Sequence, residues 1–390
     1  MRILWIEIRK ILNGKILLLL CLANLLFYFL FIEHPATKVT QGRPWLDDFR
    51  IGAEMVQKYG SDMEEQKFAD FKKTYEAQIK EADQYLQSRA EFATAGIRSY
   101  EDFVNVDQDN QEQWVLHDRV MFQEKVDMFW ELQERKRLIE DWYDSRVAWL
   151  DRAAENAENT RQKARLKELK QAGHYQVYPG FILDHYKSFI SCVAIAVVLS
   201  VVLTLSPIFI KDRLRPLLDL QYTTKKGRNL YKTKAAAGLI SAFVVIVSVL
   251  IVYFGIYVGN INQNVLRGSN LSVFFQVPIH TFTGAYHWFD PTFLQYIVLT
   301  VMAVCVLGLV FALLAISFSS VMSNYVSLIG IQIPPVFAVL FFGLSYLVGD
   351  MIDIRVAQWA APASYSLAVV ASAAFLILMW RREKQRDIVL

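Results

Sequence analysis

The chain has 390 residues, 54% of them apolar, with a mean hydropathy of +0.26, a composition that suits a membrane protein diluted by soluble sequence. Its net charge of +3 gives no ground for a nucleic-acid partner, and it hides two opposed regions. Residues 34–185 hold 22 Lys and Arg against 29 Asp and Glu, a balance of −7, whereas the remainder holds 19 against 9, or +10.

In chain order, Leu4, Trp5, Ile8, Ile11 and Leu12 alternate with Glu7, Arg9 and Lys10, which predicts a short amphipathic helix lying along a headgroup layer. An apolar span follows near 16–33. It ends in Phe31, Ile32, Glu33, His34 and Pro35 without a small-x-small cleavage site, so it is read as a retained anchor rather than a signal peptide.

The polar insert, 34–185, reads as long helices. Phe68, Phe71, Tyr75, Ala82, Tyr85 and Phe92 recur at three-four spacing over 64–92, the pattern of one buried helix face. Trp114, Met121, Met128, Trp142 and Trp149 recur at multiples of seven, with Leu132 and Ile139 as companions, and predict a coiled-coil seam on a second helical stretch over 112–171. Unbroken, that stretch would reach roughly 90 Å against about 45 Å for the first, so it is expected to bend or split near Asn156 to Asn159. Gly173 and Tyr178-Pro179-Gly180 then stop the helical run.

Five further spans are expected near 188–210, 236–258, 294–318, 326–348 and 363–380, each close to the length that crosses a hydrocarbon core. Cations cluster before the first span, in the loop after the second (Lys211 to Lys234) and in the tail (Arg381, Arg382, Lys384, Arg386). The positive-inside rule makes that side cytoplasmic and places 34–185, with the loops 259–293 and 349–362, outside the cell membrane. Cys21, Cys192 and Cys305 fall in spans, leaving the insert without disulfides. The expected fold is therefore an all-α membrane protein: 1–33, an amphipathic elbow and first span; 34–185, an extracellular helical, coiled-coil-like domain; 186–390, five spans with a cytoplasmic loop at 211–235 and a basic tail.

Catalytic motifs are missing from the chain. It has no phosphate loop, no HExxH, no CxxC and no GxSxG, so neither an intrinsic enzyme nor a resident cofactor or metal is expected. His280, His287 and Asp290 share one loop, but their spacing is not that of a metal ligand set. Intramembrane carboxylates of the kind ion-coupled carriers use are also missing, with Glu33, Lys187 and Lys211 placed where they reach headgroups. Two helix-breaking sites stand out as a possible hinge or pathway: Ser206-Pro207 at the end of span two, and Gln332 with Pro334 and Pro335 inside span five, where the Gln332 amide could satisfy a freed carbonyl. Gly308, Ala312 and Ala315 allow close helix approach in span four.

These residues resemble the ABC-2 type permeases, the membrane subunits of one class of ATP-binding-cassette transporters. The resemblance rests on the elbow WIEIRKILNGK, the six spans, the loop LLDLQYTTKKGRNLYKTKAAAG between spans two and three, and the tail RREKQRDI; it covers 1–33 and 186–390 and omits the insert. It implies a coupling helix that docks on a separate ATPase subunit carrying ATP and Mg, with Leu217, Leu218, Leu220 and Tyr222 as apolar contacts and Lys225, Lys226 and Arg228 at the polar margin. It also implies a second permease chain, identical or not, and lipid around the spans. A neutral, aromatic-rich span region suits export or clearance of an amphipathic cargo such as a peptide or lipid-like molecule, and the acidic insert could attract a cationic peptide. The competing expectation is a non-transporting membrane sensor or scaffold with an external helical receiver.

Overall fold

A computed structural model describes residues 2–33, 43–107, 109–173, 176–213 and 230–385, all helical apart from turns, loops and isolated bridges. Among the described residues six helices are long and apolar enough to cross a membrane: Gly14–Ile32, Phe181–Asp212, Leu230–Val265, Phe293–Val321, Tyr325–Gly343 and Ala360–Gln385. The chain is a multi-pass membrane protein, and its helices divide between two compact units.

The first unit comprises Met1–Lys38, His185–Asn260 and Gln295–Leu390. Its amphipathic helix Arg2–Ile11 packs on the Leu230–Asn260 helix, burying Ile11 while Arg9 and Lys10 stay exposed. Asn13 ends this helix and starts the next, its Oδ1 accepting from the Lys15 and Ile16 amides at 3.1 and 3.2 Å, a side-chain N-cap that turns the chain into span one. Spans three and four pack closely through small residues. A Cβ on Gly308 would lie 2.8 Å from Ile246 Cδ1, and one on Gly238 2.9 Å from Ile316 Cδ1. Ala312 and Ala315 are buried with them. Spans one, five and six expose most of their apolar surface, as hydrocarbon-facing helices do.

Lys187, expected to reach headgroups, instead pairs with Asp350 at 3.0 Å. Pairing wins because the side chain is largely buried, and a lone ammonium there would be costly.

The second unit joins Val39–Asp184 to Ile261–Leu294. The Glu65–Gln87 helix buries Phe68, Phe71 and Ala82 as its stripe predicts, and the stripe's last member, Phe92, sits on a separate short helix, Ala90–Thr94. The expected seven-residue seam holds only in part: Met121, Leu132 and Ile139 are buried and Met128 packs against the core, but the tryptophans stand outside it. Trp114 is 40% exposed, Trp142 and Trp149 are half-buried and stack on each other at 5.5 Å, and the core is made by Phe129, Leu132, Leu138 and Ile139. Wide π turns at Arg119–Gln123 and Leu138–Asp144, and the non-helical break at 124–126 where Lys125 has φ +54°, explain the departure, because each shifts the following face out of a heptad register. The stretch does break at Asn156, and Asn159 caps the next helix, Thr160–Ala172, which Gly173 closes in the left-handed conformation.

Segment 261–294 is threaded onto this unit through backbone bonds. The amides of Val177 and Tyr178 donate to Thr281 O at 2.9 and 3.0 Å, and the Thr283 amide donates to Tyr178 O at 2.8 Å. Arg165 pairs with Asp290 and donates Nε–H to His287 O at 3.1 Å, while His280 Nδ1 lies 3.0 Å from the same Asp290. Among the described residues no group of acidic, histidine or cysteine side chains could hold a metal ion, and the His280, His287 and Asp290 region is an ion-pair lock.

Candidate functional site

The two helix breaks singled out above meet in the first unit. Proline 207 cannot donate a backbone N–H, so the helix pauses at Ser206 and restarts over Pro207–Arg213. Ser319 of span four bridges the gap: its Oγ donates to Ser206 O at 2.7 Å and accepts from the Phe209 amide at 3.1 Å. Ser206 Oγ in turn donates to Val202 O at 2.6 Å and lies 3.0 Å from Gln332 Oε1. Gln332 thus meets a hydroxyl rather than the freed carbonyl expected of it.

Gln332 is 6% exposed, and its Nε2 has no hydrogen-bond partner among the described residues. A buried amide half-satisfied in this way costs about 1–3 kcal/mol. Two residues on, Pro334 and Pro335 sit inside the Tyr325–Ala338 helix, which continues into π turns at Val339–Gly343 and Ser345–Gly349. Span five is therefore irregular from its prolines to its end, and Gln332 ties that irregular segment to the break in span two.

Beyond the break the chain reaches Asp212, and after 214–229 it returns at Leu230. Asp212 and Lys234 form an ion pair whose side chains are 13% and 2% exposed. Lys234 Nζ also lies 5.5 Å from the Phe209 ring, which stacks on Tyr231 at 4.9 Å. Tyr231 OH reaches Ser320 Oγ at 3.5 Å, and Lys232 Nζ sits 4.1 Å over Trp380 of span six. Both flanks of the loop are thereby fastened to spans two, four and six. Charge rules had counted Lys234 only as one more loop cation. Its spacing was the overlooked signal, because Tyr231, Lys234, Ala235 and Gly238 share one face of the helix and all four are buried.

The residues expected to contact an ATPase, Leu217, Leu218, Leu220, Tyr222, Lys225, Lys226 and Arg228, lie outside the described residues.

A second polar point ties spans one, two and three together. Asn24 Nδ2 donates to Ser200 Oγ at 2.9 Å, and Tyr253 OH donates to Asn24 Oδ1 at 3.0 Å. Beside it opens a cleft of about 490 Å³, walled mainly by Leu25, Tyr28, Phe29, Val249, Val252 and Ile256. Interhelical hydrogen bonds in hydrocarbon contribute on the order of 1 kcal/mol. Asn24→Leu is accordingly expected to lower unfolding stability in detergent by about 1 kcal/mol, and Tyr253→Phe by less, since Asn24 keeps Ser200. Equal losses in the two variants would show that Tyr253, not Asn24, is the centre of the cluster.

No family model, curated protein or solved structure matches the chain.

Proposed function

We propose that the chain is the membrane-spanning permease subunit of an ATP-driven ABC transporter of the ABC-2 type, exporting or clearing an amphipathic substrate such as a peptide or lipid-like molecule. In this reading the termini and 211–235 are cytoplasmic and 34–185 is extracellular. ATP and Mg are held by a separate ATPase subunit, and a second permease chain completes the pathway.

One observation carries the proposal. The 214–229 loop, which holds the expected ATPase contacts, springs from flanks fastened by the buried Asp212 and Lys234 pair, and that anchor continues through Phe209, Ser319 and Ser206 to Gln332 beside the span-five prolines. A push on the loop would thus be delivered to an irregular span rather than absorbed at a loose hinge. The amphipathic helix Arg2–Ile11 and the apolar cleft beside Asn24 support the same reading, the first as an interfacial elbow and the second as a wall suited to hydrocarbon.

Co-purification tests the reading. The unaltered chain, isolated in mild detergent from its native membrane, is expected to bring down a P-loop ATPase, and Leu217→Asp with Leu220→Asp to lose it while retaining normal unfolding behaviour. Retention of the ATPase by the double variant would remove the loop from the coupling role. Absence of any ATPase from the unaltered preparation would favour the non-transporting sensor.

A further inference from the structure

The second unit contains a buried charged seam that none of the transport reasoning uses. It lies where the Arg43–Tyr59 helix packs on the Asp127–Arg137 helix. Asp47 is 0% exposed, Asp48 1% and Arg135 1%. Six carboxylates (Asp47, Asp48, Glu54, Asp127, Glu131, Glu134) stand here with four guanidinium groups (Arg43, Arg50, Arg135, Arg137), and Arg267, from the 261–294 segment, acts on Arg50 from the edge.

The cations are divided among these carboxylates, and Asp47 receives the least. Arg43 binds Asp127 at 2.5 Å, and its Nε is 3.6 Å from Asp47; Arg50 donates to Val265 O at 3.3 Å; Arg135 pairs with Glu54. Arg137 is shared between Asp48 and Glu134, at 2.7 Å from each. Neither oxygen of Asp47 has a hydrogen-bond partner among the described residues. A carboxylate desolvated to this degree without hydrogen bonds favours its neutral form.

We propose that this seam is an acid-tightened latch: Asp47 takes up a proton as the surrounding medium acidifies through neutrality, which closes the packing of the two helices, and releases it above neutrality, which loosens it.

Burial pushes Asp47 up to about 7, with Glu131 and Asp127 adding to the rise and Arg43 and Arg50 opposing it. Burial also raises Asp48, with Glu134 adding and Arg137 opposing. Glu131 is raised as well, chiefly by burial. The folded protein thus holds protons near pH 7 that the unfolded chain releases near the ordinary aspartate value of 3.8. Unfolding releases protons across that window, so stability from these groups is full below about pH 4 and is lost as pH rises through about 7. The lowered carboxylates of the same unit, Asp70, Asp102 and Glu124, work in the opposite sense, but they titrate below the ordinary range and act only in stronger acid. The latch stands whether or not the chain partners an ATPase.

Hydrogen exchange on the full chain in detergent tests it. After correction for intrinsic rates, amides of 43–59 and 127–137 are expected to exchange roughly tenfold more slowly at about pH 5.5 than at about pH 7.5. Asp47→Asn, a neutral isostere, is expected to exchange at pH 7.5 nearly as slowly as the unaltered protein does at pH 5.5, with most of the response gone. Asp70→Asn, at an exposed carboxylate, keeps the full response. Equal exchange at the two pH values in the unaltered protein, or a full response in Asp47→Asn, overturns the proposal. Should Asp47→Asn fail to fold, infrared absorption of protonated carboxyl groups in the unaltered protein decides: it must grow between pH 7.5 and 5.5, and no growth overturns the latch.

Discussion

Asp212→Ala is expected to destabilise the first unit by about 3 kcal/mol, because removing one partner of a buried ion pair strands the other. Lys234 is 2% exposed, and the Phe209 ring at 5.5 Å is a weak cation–π contact that does not replace a carboxylate. Lys234→Met removes the charge and keeps the stem, leaving a carboxylate that is itself less buried, so its cost should be smaller. The double variant Asp212→Ala with Lys234→Met should be more stable than Asp212→Ala alone, since no uncompensated charge is left inside. Thermal unfolding in detergent, followed through the labelling of half-buried Cys192 and Cys305, measures all three. A loss under about 0.5 kcal/mol for Asp212→Ala would mean that the pair is water-screened and that the loop flanks are held by something else. If the transport proposal holds, the same variant should also uncouple ATP hydrolysis from substrate while the ATPase stays bound, since the loop itself is intact.

Length and apolarity are local properties, and this is why the spans were legible in the sequence. The expectation of 294–318 lies inside Phe293–Val321, and that of 188–210 inside Phe181–Asp212. The ends were missed where polar side chains are paired, as at Lys187 with Asp350 and Lys234 with Asp212, because composition cannot distinguish a cation in water from one with a buried partner. Heptad counting misled across 112–171 for a related reason: it assumes a constant turn, and π turns at Arg119–Gln123 and Leu138–Asp144 shift the phase while leaving the residue types unchanged. At the candidate site, Pro207, Pro334 and Pro335 were visible as helix breakers, whereas the meeting of the two breaks through Ser206 and Gln332 depends on which helices are neighbours. The buried seam of the second unit was invisible for the same reason. Asp47 and Asp48 read as two more charges in an acidic insert until the Asp127–Arg137 helix is laid across them.

Gly180→Ala is expected to lower the stability of the second unit by roughly 3 kcal/mol, at the upper end of overpacking costs. Backbone conformation is not the reason. A Cβ at Gly180 would be driven into the carbonyl oxygen of Thr283, with the Thr283 hydroxyl only 2.8 Å away. Neither side can retreat cheaply, because Gly180 N donates to Thr283 Oγ1 at 2.7 Å, Thr283 N donates to Tyr178 O at 2.8 Å, and Tyr178 OH donates to Gly60 O at 2.6 Å. Any shift that makes room for a methyl group must break bonds that hold 261–294 to the unit, so loss of the ion-pair lock between Arg165 and Asp290 should accompany it. Thr283→Val separates the two effects: it keeps the shape but leaves the Gly180 amide buried without its acceptor, a loss of about 1–2 kcal/mol. Gly259→Ala is the opposite case, with nothing within 4 Å of the added carbon, and as a helical position it should be neutral or mildly stabilising. Tryptophan fluorescence melting of the full chain, with Trp130 buried in the second unit as a reporter, ranks Gly180→Ala and Thr283→Val. If Gly180→Ala melts with the unaltered protein, the close approach of 176–180 to 278–284 is not a fixed contact of the folded state, and the segment's assignment to this unit fails with it.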